Sequence, residues 1–325
     1  MVVLSPSSIL PDRHWSPSKI PPMTVTLAYL GPDGTFSQLA ALVYSLEIEQ
    51  ELGSPVALQG FPTIPRTIGA TARGITNLSI VPVENSIEGG VTPTLDTLWQ
   101  FNQLQIQRAM VMAIRHGLLS YATNLAAVQV VYSHPQALSQ CQLWLEKWLP
   151  WATLVPTRST AEPLQHLSDN PTVAAIASEW AAGLYNLPVL AHQINDHSEN
   201  CTKFWVLGPA QTASPTNSGT YTSLAFSLPV NAPGALLKPL QVFADHAINL
   251  SRIESRPAKR ALGEYVFFVD LEAGGHEPRG QDAMLALQGC TERLINFGSY
   301  DLITTAENLA AAKLKYRQLQ EPHSL

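Results

Sequence analysis

KFWVLGPAQTASPTNSGTYTSLAFSLPV, residues 203–230, reads as a strand, a run of turn formers and a second strand. Clusters of Pro, Ser, Thr, Asn and Gly between periodic segments mark connections rather than elements. The stretch therefore cuts the 325-residue chain in two, with residues 24–208 before a linker at 209–219 and residues 220–301 after it. A chain of this length has room for two domains.

Upstream of the cut, short β-branched runs alternate with helical patterns: TVTLAYLG then TFSQLAALVYSLEIEQEL, NLSIVPVE then PTLDTLWQF. QRAMVMAIRHGLL and AAVQVVYS read as strands, PQALSQCQLWLEKWL and STAEPLQHLS as helices, TVAAIAS as a strand, EWAAGLYNL as a helix, and VLAHQI and KFWVLG as closing strands. Such alternation predicts a largely parallel α/β sheet covered on both faces. The segment is long for one sheet, so two lobes with a cleft between them are expected. Downstream, the order β-α-β-β-α, with a last short strand near SYDL (299–302), predicts a ferredoxin-like βαββαβ unit. A helical tail is expected over 302–325. Residues 1–23, rich in Pro and Ser, read as a disordered leader, with Met23 as an alternative start.

Composition narrows the function. Net charge is −6 and only 14% of residues are charged, which argues against a phosphate-neutralising nucleic-acid surface. No apolar run approaches the ~18 residues a membrane span needs. The three cysteines, Cys141, Cys201 and Cys290, are far apart and odd in number, which suits a reducing compartment and gives no zinc spacing. His192, Asp196 and His197 match no common metal motif, and no P-loop, dinucleotide fingerprint or Ser-His-Asp arrangement is present. No cofactor or metal is expected.

The strand-to-helix junctions carry the chemical signal. Thr35 and Gln38 have capping-box spacing in GPDGTFSQ, as do Ser159 and Glu162 in RSTAEP. Thr92 suits an N-cap ahead of Pro93, and Ser133 or His134 precedes Pro135 in the same way. One such junction is ordinary capping. Several converging on a cleft would hold a small dianion through N–H groups and hydroxyls. The polar run NDHSENCT (195–202) meets the buried strand at Thr202, whose hydroxyl can donate a hydrogen bond to a developing leaving-group oxygen. Strand alternation points Lys203 away from Thr202.

Six stretches together resemble a known family. YLGPDGTFSQLAA, VPVENSIEGGV, SHPQALSQC, STAE and NCTKFWVLG match, in order, the dehydratase motifs of the prephenate dehydratases, and GALLKPLQVFADHAINLSRIESRP matches their C-terminal ACT domain. The resemblance implies a two-lobed catalytic domain of the type 2 periplasmic-binding-protein kind, followed by an ACT domain. It implies decarboxylating dehydration of prephenate to phenylpyruvate, with Thr202 tied to catalysis and Thr35, Ser37, Asn85, Ser86, Gly89, Ser159 and Thr160 at the substrate. Glu84 would position Asn85. Gly234, Ala235, Leu236, Asn249, Leu250, Glu254, Ser255 and Arg256 would form a phenylalanine site controlling a cytoplasmic homodimer or homotetramer. No nucleic acid or membrane is an expected partner. Where the family commonly has Arg after the catalytic Thr, this chain has Lys203, and the two are not equivalent at a bidentate contact. Arogenate as substrate, or an amino-acid sensor without activity, are the competing readings.

Overall fold

The computed structural model describes residues 24–167, 170–210 and 219–304. The expected leader, most of the linker and the tail beyond residue 304 lie outside the described residues. The first lobe runs β1 (Val25–Leu30), α1 (Phe36–Leu52), β2 (Val56–Phe61), α2 (Ile64–Ala72), β3 (Leu78–Asn85), β4 (Gly89–Gly90), α3 (Thr92–Gln100) and β5 (Leu104–Ala113). The chain then crosses to a second lobe of β6 (His116–Leu119), β7 (Val130–Ser133), α4 (Pro135–Ser139), α5 (Gln142–Trp148), β8 (Thr153–Pro156), β9 (Val173–Ser178), α6 (Glu179–Leu184) and β10 (Val189–Ala191). It returns in β11 (Cys201–Pro209), which slots between β3 and β5, antiparallel to both. The sheets are ordered β16 (Leu302–Thr304), β5, β11, β3, β1, β2 and β10-β6-β9-β7-β8.

This is the expected two-lobed α/β arrangement, with both sheets mixed rather than largely parallel, because each crossing between lobes re-enters its sheet antiparallel. QRAMVMAIRHGLL is two strands in two sheets, β5 and β6, and the apolar pattern runs through the change without a mark. PQALSQCQLWLEKWL breaks into α4 and α5, and STAEPLQHLS forms only a 3-10 turn at Glu162–His166. The cap of α3 is Val91 and Thr92 is its first helical residue, so the helix begins one position earlier than the Thr92 cap expected.

The C-terminal unit is β12 (Tyr221–Ser227), α7 (Leu237–Asp245), β13 (Leu250–Pro257), β14 (Tyr265–Leu271), α8 (Pro278–Gln288) and β15 (Arg293–Tyr300), in an antiparallel sheet ordered β13-β14-β12-β15. That is the βαββαβ unit, although its last strand begins in RLINFG, which the sequence places in a helix. β16 (Leu302–Thr304), expected to open a helical tail, instead pairs parallel with β5.

The unit's two faces explain how it sits. Phe243, Ala283 and Leu287 from its helices cover Leu224, Phe226, Val269 and Leu271 on one face. The other face, with Val266, Phe268, Phe297 and Tyr300, shares a core with Val81, Leu95, Trp205 and Leu207 of the first lobe. Apolar area removed from water is the main favourable term in such packing. The β13-β14-β12-β15 sheet therefore abuts the back of the strand that brings Thr202 to the cleft.

Candidate active site in the cleft between the lobes

A cavity of about 1190 Å³ opens between the lobes. Thr35, Phe36 and Ser37 at the start of α1, Pro93 at the start of α3, His134 and Gln136 at α4, and Ser159, Thr160 and Glu162 at the 3-10 turn all line it, with Asn85 and Thr202 in its wall. First-turn N–H groups have no intrahelical acceptor, so several helix starts here face one space. Among the described residues lining it, Arg158 is the one Lys or Arg, and its guanidinium is held by Glu162 at 2.8 Å.

The turn that begins α1 is built as its sequence suggests, with one change. Thr35 Oγ1 accepts the Gln38 N–H, but Gln38 Oε1 reaches back to the Gly34 N–H (2.7 Å) instead of that of Thr35. Thr35 Oγ1 also donates within the turn, 2.9 Å from the Pro32 carbonyl. Gly34 adopts φ +87°, and an added Cβ would lie 2.8 Å from the Tyr185 ring of the second lobe. Ser178 Oγ donates to the Gly34 carbonyl and Tyr185 Oη to that of Asp33, so this loop seats one lobe on the other. At the 3-10 turn, Ser159 Oγ accepts the Glu162 N–H at 3.0 Å.

Asn85 organises the opposite wall. Its Oδ1 accepts the N–H groups of Ile87 (3.0 Å) and Glu88 (3.1 Å), which identifies that atom as oxygen and turns the NH2 toward β11. The NH2 then donates to Thr202 Oγ1 at 2.9 Å, Asn200 Oδ1 at 2.9 Å and the Cys201 carbonyl at 3.1 Å. Thr202, opposite Asn85 in the β3–β11 register, accepts this bond with its oxygen. A hydroxyl that accepts at its lone pair keeps its hydrogen to give. Thr202 lines the cleft with its hydroxyl hydrogen available to donate.

Three residues that the sequence does not single out complete the network. Gln140 Oε1 accepts from Asn200 Nδ2 (2.9 Å) and lies 3.2 Å from His116 Nε2, while Gln140 Nε2 donates to Asn85 Oδ1 (3.4 Å). Because Gln140 presents an oxygen, the His116 proton sits on Nε2, and Nδ1 has no hydrogen-bond partner among the described residues. Burial pushes the His116 ring down to about 4, with the Gln140 bond opposing it, so the ring is neutral at pH 7. Gln140 and Asn200 lie inside motifs quoted above, SHPQALSQC and NCTKFWVLG. His116, a lone histidine in an apolar run, gives no signal of its own.

The polar run before β11 is the return crossing between lobes. Asn195 Oδ1 accepts the His116 N–H (2.6 Å) and Asn195 Nδ2 donates to the Ile114 carbonyl (3.1 Å), tying it to the outward crossing. Asp196 caps α5 through the N–H groups of Leu143 and Trp144. His192 faces Glu179 and His197 faces Glu199.

Two expected substrate residues stand apart from the cavity wall. Ser86 Oγ accepts the Cys201 N–H, and Gly89 lies in the exposed β4 turn at φ +82°. Both support the Asn85 loop. Glu84 faces away from Asn85, opposite Lys203 in the register, where its charge acts on Arg252. Lys203 itself forms an ion pair with Asp270 at 2.8 Å, so it grips no group in the cleft.

In the C-terminal unit, Gly234, Ala235 and Leu236 precede α7, with Gly234 at φ +79° in open space, and Asn249 and Leu250 follow it. Ser255 is exposed on the edge strand. Glu254 and Arg256 alternate with it and turn inward: Arg256 meets Asp96 of α3 at 3.2 Å, and the Glu254 carboxylate fills the space where a Cβ on Gly90 would lie. The sequence reading groups these three, and the pleat separates them.

Comparison with known proteins agrees with this layout. The family model for prephenate dehydratase matches residues 27–212, and that for the ACT domain residues 222–288. A bifunctional chorismate mutase/prephenate dehydratase of Aquifex aeolicus is 38% identical over 85% of this chain and 73% of its own length. A prephenate dehydratase of Lactococcus lactis is 35% identical over 76% of this chain and 86% of its own. The crystal structure of an Arthrobacter aurescens prephenate dehydratase in complex with L-Phe superposes with a TM-score of 0.76, at 30% identity, covering 92% of this chain and all of that one (100%).

Proposed function

The chain belongs to the prephenate dehydratase family, with an ACT domain at its C-terminal end, and on that footing we propose that Thr202 drives departure of the ring hydroxyl. The protein is a lyase that converts prephenate to phenylpyruvate, CO2 and water, under phenylalanine control at the ACT domain.

In this elimination the bond from the ring to its carboxylate breaks and its electron pair enters the ring. The C–O bond across the ring breaks in turn, and the oxygen leaves with its pair, becoming water with a proton drawn from solvent. The residues' work is to hold a dianion and to stabilise charge growing on the leaving oxygen. A Thr hydroxyl is far too weak an acid to be ionised at pH 7. As an aimed donor in a dry site it is worth roughly 10²–10³ in rate. The α1 start, Ser37, Ser159 and Thr160 offer N–H and hydroxyl donors to the carboxylates, helped by the helix dipole. Thr35 acts through the turn it closes.

The observation that supports this reading is the Asn85-to-Thr202 bond, in which Thr202 Oγ1 accepts and its hydrogen stays available to donate. Thr202→Ala should lower kcat roughly 10²–10³-fold with an unchanged unfolding temperature and unchanged phenylalanine binding. Phenylpyruvate release from prephenate, run beside arogenate, measures both turnover and substrate choice, and wild-type turnover in Thr202→Ala would remove this role. A protein that only senses amino acids would release no phenylpyruvate.

Gly234, Ala235, Leu236, Asn249, Leu250 and Ser255 are our candidates for the phenylalanine contacts, with Glu254 and Arg256 carrying the response to the catalytic lobe. Ile253 and Tyr265, exposed on and beside the β13 edge, support pairing of two copies into a homodimer or homotetramer; light scattering tests it. Among the described residues no helix is long and apolar enough to cross a membrane, and we assign the enzyme to the cytoplasm.

A further inference from the structure

The strand that bears Thr202 is gripped from behind by a buried cluster that belongs to the ACT domain. Alternation along β11 turns Thr202 and Phe204 to the cleft, and Lys203 and Trp205 to the opposite face. Lys203 Nζ donates to Asp270 Oδ2 at 2.8 Å. Asp270 is wholly buried on β14 and also accepts Arg252 Nε (3.0 Å), Arg252 Nη2 (3.1 Å) and Ser223 Oγ (2.6 Å). Ser223 Oγ lies 2.7 Å from Tyr300 Oη. The Arg252 guanidinium sits 5.2 Å from the Trp205 ring centroid. Every strand of the ACT sheet thus contributes one member, and β11 contributes Lys203 and Trp205.

A buried carboxylate tolerates little displacement, because each lone pair needs its donor. Lys203 is therefore fixed against a rigid anchor, and its neighbour Thr202 is fixed with it, one residue along the same extended backbone. We propose that Asp270 is a positioning residue for the elimination: through Lys203 it sets where the Thr202 hydroxyl stands over the leaving oxygen, so the ACT domain shapes the reacting geometry of its own chain. The inference rests on the reading of Thr202 as the donor. Misplacement by about 1 Å can cost on the order of 10² in rate.

The test uses the full chain and four variants: Thr202→Ala, Lys203→Met, Lys203→Arg and the double variant Thr202→Ala/Lys203→Met. Lys203→Met leaves Asp270 its Arg252 and Ser223 partners, so the fold is retained. It should lower kcat about tenfold while KM stays within about twofold, the signature of an interaction felt in the transition state. Lys203→Arg, whose guanidinium still reaches the carboxylate, should recover most of that loss. The double variant should be no slower than Thr202→Ala alone, because Lys203 acts only through Thr202. Wild-type kcat in Lys203→Met beside an inactive Thr202→Ala would overturn the proposal alone, as would additive losses in the double variant. Full turnover in Thr202→Ala would overturn the Thr202 reading and this inference with it.

Discussion

Asn85 and His116 show how single side chains set the chemistry of the cleft. Two backbone N–H groups choose the orientation of the Asn85 amide, and that choice makes Thr202 Oγ1 the acceptor of an Asn85 N–H, which leaves its own hydrogen available to donate. His116 closes the same network and gives it a dependence on pH. In the folded chain it protonates near 4, against 6.5 for the ordinary ring. Above about pH 6.5 both states are neutral and the full stability is present. Between about 6.5 and about 4 only the unfolded chain binds the proton, so stability falls as pH drops, by roughly 3 kcal/mol in total. Urea unfolding of the wild type and His116→Gln across this range should show that slope in the wild type and a flatter one in the variant. The Thr202 candidate was legible from a polar run meeting an apolar strand. The His116 role was not, because its partner Gln140 is supplied by a different part of the second lobe.

Elements carry the site by where they begin. α1 starts at a turn whose Thr35 cap and Gly34 were readable from spacing, and the helix ends at Gly53 in the left-handed conformation. What spacing could not reveal is that Gly34 also has a second lobe against it. A Cβ there meets both a positive φ and the Tyr185 ring, so Gly34→Ala should cost about 1–3 kcal/mol. Because the same loop bears Asp33 and Thr35 in the cavity wall, KM for prephenate should rise as well; calorimetry and initial rates measure the two effects. β2, α2 and β8 escape a reading by pattern, being short runs in which Pro, Gly and Thr interrupt the apolar period. The split of β5 from β6 escapes it too, since an apolar run looks the same whichever sheet it joins.

Across the whole molecule, the ACT unit is fused to the first lobe by a common core, by β16 and, among the described residues, by two ionic contacts. One is the Lys203–Asp270–Arg252 cluster. Burial raises the Asp270 carboxyl, but the charges and hydrogen bonds of Arg252 and Lys203 outweigh it and hold it below the usual carboxylate range. The other joins Asp96 of α3 to Arg256 (3.2 Å) and Lys259 (2.6 Å). There too burial raises the carboxyl, and the Lys259 and Arg256 bonds more than reverse it. If this second contact conveys the effector signal, Arg256→Ala and Asp96→Asn should weaken phenylalanine inhibition to a similar degree, with turnover in the absence of phenylalanine little changed. Inhibition curves on both variants measure it, and inhibition as strong as in the wild type would exclude the route.

Sequence alone determined most of the elements and the family, and it offered the division at the linker and Thr202 as candidates, because caps, turns and strand periods are local in the chain. Tertiary structure alone decided that Asn85 donates to Thr202, that Lys203 looks to Asp270, and that Glu254 and Arg256 face the catalytic lobe. Those facts depend on partners brought together from strands distant in sequence, and no local pattern encodes who sits behind a strand.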